Sequence, residues 1–178
     1  MKKILLLFTL LISHFSFAQL NVYNDVLIDE IPNELLEYND TKIYFDNKKS
    51  RLHFTKENDY TANSILAETQ IILTVGFSKV DPNLSKGVIE MFLKNKKDKK
   101  TTVKEKVLID GYDSCYEQTL SKKKNKFIIT ATYMIFANET LIIPNLYYEA
   151  DSEVEATQYI KNMITSWRDY MEHKVSVM

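Results

Sequence analysis

Apolar positions along this chain alternate at strand spacing through most of its second half and switch to helical spacing in two places. Residues 70–79 carry Ile71, Ile72, Leu73, Val75 and Phe77, an apolar, largely β-branched run that predicts a strand, and Gly76 inside it suggests a bulge or a close backbone approach. Asp81-Pro82 then opens a helix over 82–95. Asp81 is placed to cap it, and Pro82 sits at the first helical position, where its missing N–H costs nothing. Leu84, Val88, Met91 and Phe92 recur at i, i+4, i+7 and i+8 as one apolar stripe, and Gly87 on that stripe would let the helix sit close to a sheet. Strands are expected over 103–109 and 112–120, joined through Asp110-Gly111. After polar 121–125 a long strand follows over 126–137. Both faces of that strand are largely apolar (Phe127, Ile129, Ala131, Tyr133 and Ile135 against Ile128, Met134 and Phe136), which places it centrally and covered on both sides. Asn138-Glu139 turns into 140–148, where Pro144 cannot donate to a ladder and predicts an edge or bulged strand.

The closing helix over 152–172 has the clearest pattern. Ser152-Glu153-Val154-Glu155 is a capping box, with Glu155 expected to reach back to the start of the helix. Ala156, Tyr159, Ile160, Met163, Ile164, Trp167 and Met171 form its 3.6-period stripe, with Trp167 as a core anchor. The first half is less regular. Between residues 21 and 46, Asp25, Asp29, Glu30, Glu34, Glu37, Asp40 and Asp46 face only Lys42. The pattern there predicts a short helix over 33–38, a strand over 42–45 and, after a polar turn at 47–50, a return strand over 51–55.

The extreme N-terminus reads as an address. Met1-Lys2-Lys3, an apolar run from Ile4 to Ile12 and small residues at Ser16 and Ala18 make a secretory signal peptide over 1–18, cleaved after Ala18. The apolar run is too short to span a bilayer, and no cysteine follows the cleavage point to take a lipid anchor. Residues 19–178 are expected to fold as one α+β domain, exported to the periplasm or secreted. The formal net charge is −1, and the leader carries two lysines and no acid, so the remainder stands near −3. That balance gives no support to nucleic-acid binding. Gly and Pro occur three times each, which argues against disorder.

Candidate chemistry is sparse. Cys115 is the one cysteine, so no disulfide framework holds the domain and the fold rests on its core. The thiol reads as a small buried apolar residue, an intermolecular disulfide or, least readily, a nucleophile. Strand alternation puts it with Asp113, Glu117 and Thr119 on the more polar face of 112–120, with no cationic neighbour in sequence to activate it. His53 and His173 are isolated and do not form a metal-binding spacing. There is no glycine-rich phosphate loop and no G-x-S-x-G elbow, and Asp110-Gly111-Tyr112-Asp113 lacks the further acids of a calcium loop. No catalytic, cofactor-binding or metal-binding residue is assigned, and no cofactor is implied. Lysines 94, 96, 97, 99, 100, 104 and 106 make one basic tract and Lys122, Lys123, Lys124 and Lys126 another. The ~14 extended residues between them span on the order of 45 Å, which puts the tracts at opposite ends of the sheet.

The order from residue 65 to 172 resembles the PsbP/DcrB-like superfamily. The resemblance rests on "VLIDGYDSCYEQTL", with its Gly111-Tyr112-Asp113-Ser114 step, on "KFIITATYMIFANETLIIPNLYYEAD", and on the closing helix with Trp167. The family's opening proline–tryptophan segment is reduced here to Ile31-Pro32. The resemblance implies an antiparallel sheet packed between helices and a non-catalytic accessory or binding role, and it carries no functional residue over.

The expectation is therefore an α+β fold with an antiparallel sheet of about five to seven strands packed against helices 82–95 and 152–172. Its core should hold Ile72, Val75, Val88, Phe92, Ile129, Tyr133, Ile160, Ile164 and Trp167. The expected function is a secreted, non-enzymatic binding or accessory protein of the cell envelope, its partner an envelope protein or an anionic envelope polymer. Alternatives are a small exported hydrolase whose site assembles only in space, and a structural homodimer joined through Cys115 or the 140–148 strand.

Overall fold

The computed structural model describes residues 34–38, 40–45, 55–58, 61–66, 71–95 and 100–178. The expected signal segment, His53, residues 51–54 of the expected return strand, and Lys96, Lys97 and Lys99 lie outside them. The fold is α+β. Its larger sheet is antiparallel with seven strands: β3 (Thr55–Asn58), β4 (Thr61–Leu66), β5 (Ile71–Lys79), β6 (Thr101–Ile109), β7 (Tyr112–Lys123), β8 (Lys126–Ala137) and β9 (Thr140–Ala150). They lie side by side in the order β3-β4-β5-β9-β8-β7-β6. A second sheet joins β1 (Glu34–Tyr38), β2 (Thr41–Phe45) and β10 (Val175–Val177) in the order β1-β2-β10.

Helix α1 (Pro82–Lys94) covers one face of the large sheet and a C-terminal helix covers the other. Asp81 caps α1 as expected, accepting from the Asn83 N–H at 2.9 Å. The expected stripe is rotated, however. Ile89 is the buried residue of α1, while Leu84 and Met91 are about three-fifths exposed, at 60% and 59%. Ile89 packs with Cys115, Phe136, Met134 and Leu141, residues that point to the face opposite the main core. Gly87 is exposed, and a methyl group added to it would meet no atom within 4 Å, so it serves no close approach.

The C-terminal helix runs as α2 (Glu153–Tyr159), a π-helical turn (Ile160–Ile164) and α3 (Thr165–His173). Ser152 Oγ accepts from the Glu155 N–H at 3.1 Å, while Glu155 reaches back one residue further than a capping box requires, to the Asp151 N–H at 2.9 Å. The wide turn inserts a residue into the 3.6 spacing. It leaves Ile160 half-buried while Met163, Ile164, Trp167, Tyr170 and Met171 enter the core. Both sheets contribute to that core, Ile43, Phe45, Val175 and Val177 from the small one and Val75, Ile129, Tyr133 and Leu146 from the large one. Of the expected core residues, Val75, Ile129, Tyr133, Ile164 and Trp167 are buried; Ile72, Val88, Phe92 and Ile160 are half-buried.

Four further expectations are corrected. Residues 34–38 are a strand, because pairing with β2 (Glu34↔Phe45 to Tyr38↔Thr41) overrides the helical preference of Glu-Leu-Leu-Glu. Both edges of β2 are thereby taken, by β1 and β10, which leaves no edge for the expected return strand. β9, which carries Pro144, is central, between β5 and β8. Its pairing with β8 skips the proline, running to Thr132↔Asn145 and resuming at Ile135↔Ile142, while Val75↔Pro144 stays in register with β5. Finally, β8 is covered on both faces only at its last residues, where Met134 and Phe136 meet α1; Ile128, Thr130 and Thr132 are half-exposed.

Candidate functional site

The sheet's turns decide which side chains meet. Ile109 pairs with Tyr112, so Asp110-Gly111 is a two-residue hairpin loop, and both residues have positive φ, 48° and 84°. That is the backbone of a type I′ turn, for which Asp-Gly is a preferred pair. The hairpin folds β6 back along β7 until Thr101 stands opposite Thr119 and the Leu120 N–H donates to the Lys100 carbonyl at 2.8 Å. Lys100 of the first tract therefore lies at the same end of the sheet as the second tract, against the expected separation, while Lys96, Lys97 and Lys99 lie outside the described residues. Chain length measured the path between them, and the hairpin cancels that path.

Within this end, Lys123 pairs with Lys126 in register across the β7–β8 turn, and Lys122, Lys123 and Lys124 are exposed, as is Lys100. Lys122 Nζ lies 5.2 Å from the centre of the Phe127 ring, and Lys126 is ion-paired with Asp151. Lys104 and Lys106 of the first tract are engaged elsewhere. Lys106 pairs with Asp113 at 2.7 Å. Lys104 is nearly covered, with Nζ 3.8 Å from Glu117 and 4.1 Å from the Phe92 ring centre.

Cys115 is fully buried beneath α1, beside Ile89 and Phe136, and stands opposite Lys106 in the β6–β7 ladder. The reading of a small buried residue holds, although alternation put the thiol on the more polar face with no cation near it in sequence. The helix supplies the burial and the neighbouring strand supplies Lys106 and Lys104. Burial pushes the thiol up, against the lowering pull of the two lysines, to about 11. Cys115 and the central β9 are thus both closed to a homodimer interface. His173 is exposed and lies 3.7 Å from Asp169 on its own helix. Asp110 accepts from the Val177 N–H at 2.8 Å, so the carboxylates of the Asp110–Asp113 segment are engaged in tying β10 and Lys106.

Sequence reasoning missed one polar assembly. Arg168, on α3, is ion-paired with Glu105 of β6, lies 3.4 Å from Glu172 and places its guanidinium 4.6 Å from the Tyr116 ring centre. Tyr116, Tyr133 and Trp167 continue as an aromatic row, with centroid separations of 4.8 and 6.4 Å. The i,i+4 spacing of Arg168 and Glu172 was legible; Glu105 joins them only through the fold. At the opposite end of the sheet, Asp40, Thr41, Lys79, Asn138 and Glu139 border an open depression of about 450 Å³. The Lys79–Glu139 pair, at 3.6 Å, belongs to it, as does Thr41, hydrogen-bonded to Thr140 at 2.9 Å. No helix among the described residues is long and apolar enough to cross a membrane.

The sequence matches no protein family, and no curated protein matches it. Among solved structures, the chain is similar to a Bacteroides thetaiotaomicron VPI-5482 protein at 12% identity and a TM-score of 0.47. That similarity covers 68% of this chain and 43% of the other, so the chain spans less than half of that protein's length. LpqN of Mycobacterium tuberculosis, described as involved in cell envelope biogenesis, is similar over 82% of each chain, at 12% identity and a TM-score of 0.38. At such identities and scores neither likeness bears on what this chain does.

Proposed function

We propose that this chain is an exported, non-enzymatic binding or accessory protein of the cell envelope, of PsbP/DcrB-like build. The export part is supported by residues 1–18, with their basic start, short apolar run and small residues before Gln19. The observation that carries the non-enzymatic part is the state of Cys115. A cysteine nucleophile must reach its substrate as a thiolate, and here burial under α1 withholds both access and ionisation. Binding then falls to the exposed surface, which at the β7–β8 turn carries the exposed Lys122, Lys123 and Lys124.

Two measurements test this reading. Fused to a reporter that works only outside the cytoplasm, the full chain should give signal, and the exported protein should begin at Gln19 by mass spectrometry. Retention inside the cell would overturn the export part. Cys115→Ser should leave any activity or binding nearly unchanged, and loss of function by that variant with its circular dichroism intact would sink the non-enzymatic part.

A further inference from the structure

We infer that α1 carries a second apolar face, formed by Leu84, Gly87, Val88 and Met91, on which a second copy of this chain docks. The two helices meet antiparallel about a two-fold axis beside Gly87. This goes beyond the export and binding reading and does not depend on it.

Six large apolar side chains are exposed among the described residues: Leu84, Met91, Leu93, Leu108, Val154 and Met178. Leu84 and Met91 are the pair that shares one face of one element. At about 100° per residue they lie only about 20° apart around α1, whereas Leu93 falls on the opposite side. Half-buried Val88 lies about 40° to one side of Leu84 and exposed Gly87 about 60° to the other. Ile89, the buried residue of α1, is about 140° from Leu84, so this face points away from the sheet.

Gly87 marks the face as a contact. Glycine inside a helix is destabilising relative to alanine, and nothing within the chain requires it here. Gly111 answers to its φ of 84° in a turn; Gly87 is helical, and a Cβ added to it would meet no atom within 4 Å. Between Leu84 and Met91 the missing side chain leaves a hollow. A second helix can bring its ridge and backbone close there.

The face also fits itself. When two copies meet antiparallel with paired residue numbers adding to about 175, Leu84 stands level with the second copy's Met91, and Val88 with the hollow at its Gly87. The same contact is made twice across the axis, as a two-fold interface requires. That register brings the Lys94 end of each helix to the Asp81 end of the other and sets the helix dipoles in opposition. Glu90 already neutralises Lys94 within its own helix, at 3.6 Å. A parallel meeting would align the dipoles and set Lys94 beside its own copy. Four residues per copy cover less than the roughly 1,200 Å² at the low end of specific interfaces. The dimer is therefore weak, with a dissociation constant on the order of 100 µM.

Sedimentation equilibrium of the purified full chain tests this from about 10 µM to about 1 mM, where the mean mass should climb from one chain towards two. Leu84→Lys alone and Met91→Glu alone should each weaken association at least about tenfold. An equimolar mixture of these two variants should recover it, because the new lysine meets the new glutamate only across an antiparallel axis. Gly87→Gln should weaken association by a similar factor. In dilute solution the same change should raise the melting midpoint by roughly 2–3 °C, since glutamine favours the helix and has open space around it. Val154→Lys, an equally exposed change on α2, should alter neither. The inference is overturned by an equal loss in Val154→Lys, by a mixture no stronger than its components, or by a Gly87→Gln variant that associates like wild type. A chain that stays monomeric at 1 mM also overturns it and leaves the face to a helix of another protein.

Discussion

Cys115 is pulled in two directions, with low-dielectric packing favouring the neutral thiol and Lys106 and Lys104 favouring the thiolate. Packing wins, and the consequence has a sign. A thiol whose pKa is raised on folding stabilises the native state fully below its unfolded value of 9.0 and loses that contribution as pH climbs through about 11. Stability should therefore fall between those limits by on the order of 2–3 kcal/mol at this site, at roughly 1.4 kcal/mol per unit. Urea unfolding of the wild type and of Cys115→Ala at pH 8, 10 and 11 checks this: the gap between them should narrow as pH rises. A constant gap would mean that the thiol titrates alike in both states. Thiol reagents should label Cys115 slowly at pH 8 and at once after guanidinium is added. Trp167, at 0% exposure between Tyr133 and Tyr170, should cost about 3–5 kcal/mol when replaced by alanine. Ready quenching of Trp167 by acrylamide in the folded protein would contradict that placement.

Among the elements, the π-helical turn makes the sharpest prediction. Its extra residue is absorbed locally, so deleting exposed Lys161 should let 153–173 close into a regular helix with Trp167, Tyr170 and Met171 still facing the core. Deleting exposed Asp169 instead turns Tyr170 and Met171 about 100° away from it. The first variant should melt within roughly 4 °C of wild type and the second at least about 10 °C lower, at 2–4 °C per kcal/mol. Elements whose pattern comes from one covered face were legible beforehand: β5, β7, β8, α1 and the C-terminal helix all lie close to where alternation and capping put them. Elements made by their partners were not. β1 looks helical until β2 pairs with it, three-residue β10 carries too little alternation to declare itself, and Pro144 signals an edge while the fold simply omits its ladder contact to β8. The lysine end was half legible. Both tracts were visible as sequence, but Lys100 comes to the end that carries the second tract only through the Asp110-Gly111 turn and the β6–β7 register. The Arg168–Glu105 pair, 63 residues apart, has no local signal at all.

At the scale of the whole molecule, two sheets share one core, and the small one is fastened by long-range ties. Thr41 meets Thr140, the Val177 N–H meets Asp110, and Lys42 and Met178 exchange both backbone hydrogen bonds, at 2.8 and 2.9 Å. Removing residues 175–178 should expose Ile43 and Phe45 and forfeit two buried valines, roughly 3–5 kcal/mol by apolar burial. Urea titration should show a lower midpoint for this truncation, and an unchanged midpoint would mean that β10 adds nothing to the core. The same pairing fixes an order of events. β2 is made early in synthesis, yet one of its two edges waits for a strand at residues 175–177. Such distant closure slows folding, because the intervening chain must be ordered first. A nascent chain of this topology cannot complete its small sheet until residues 175–177 have been made.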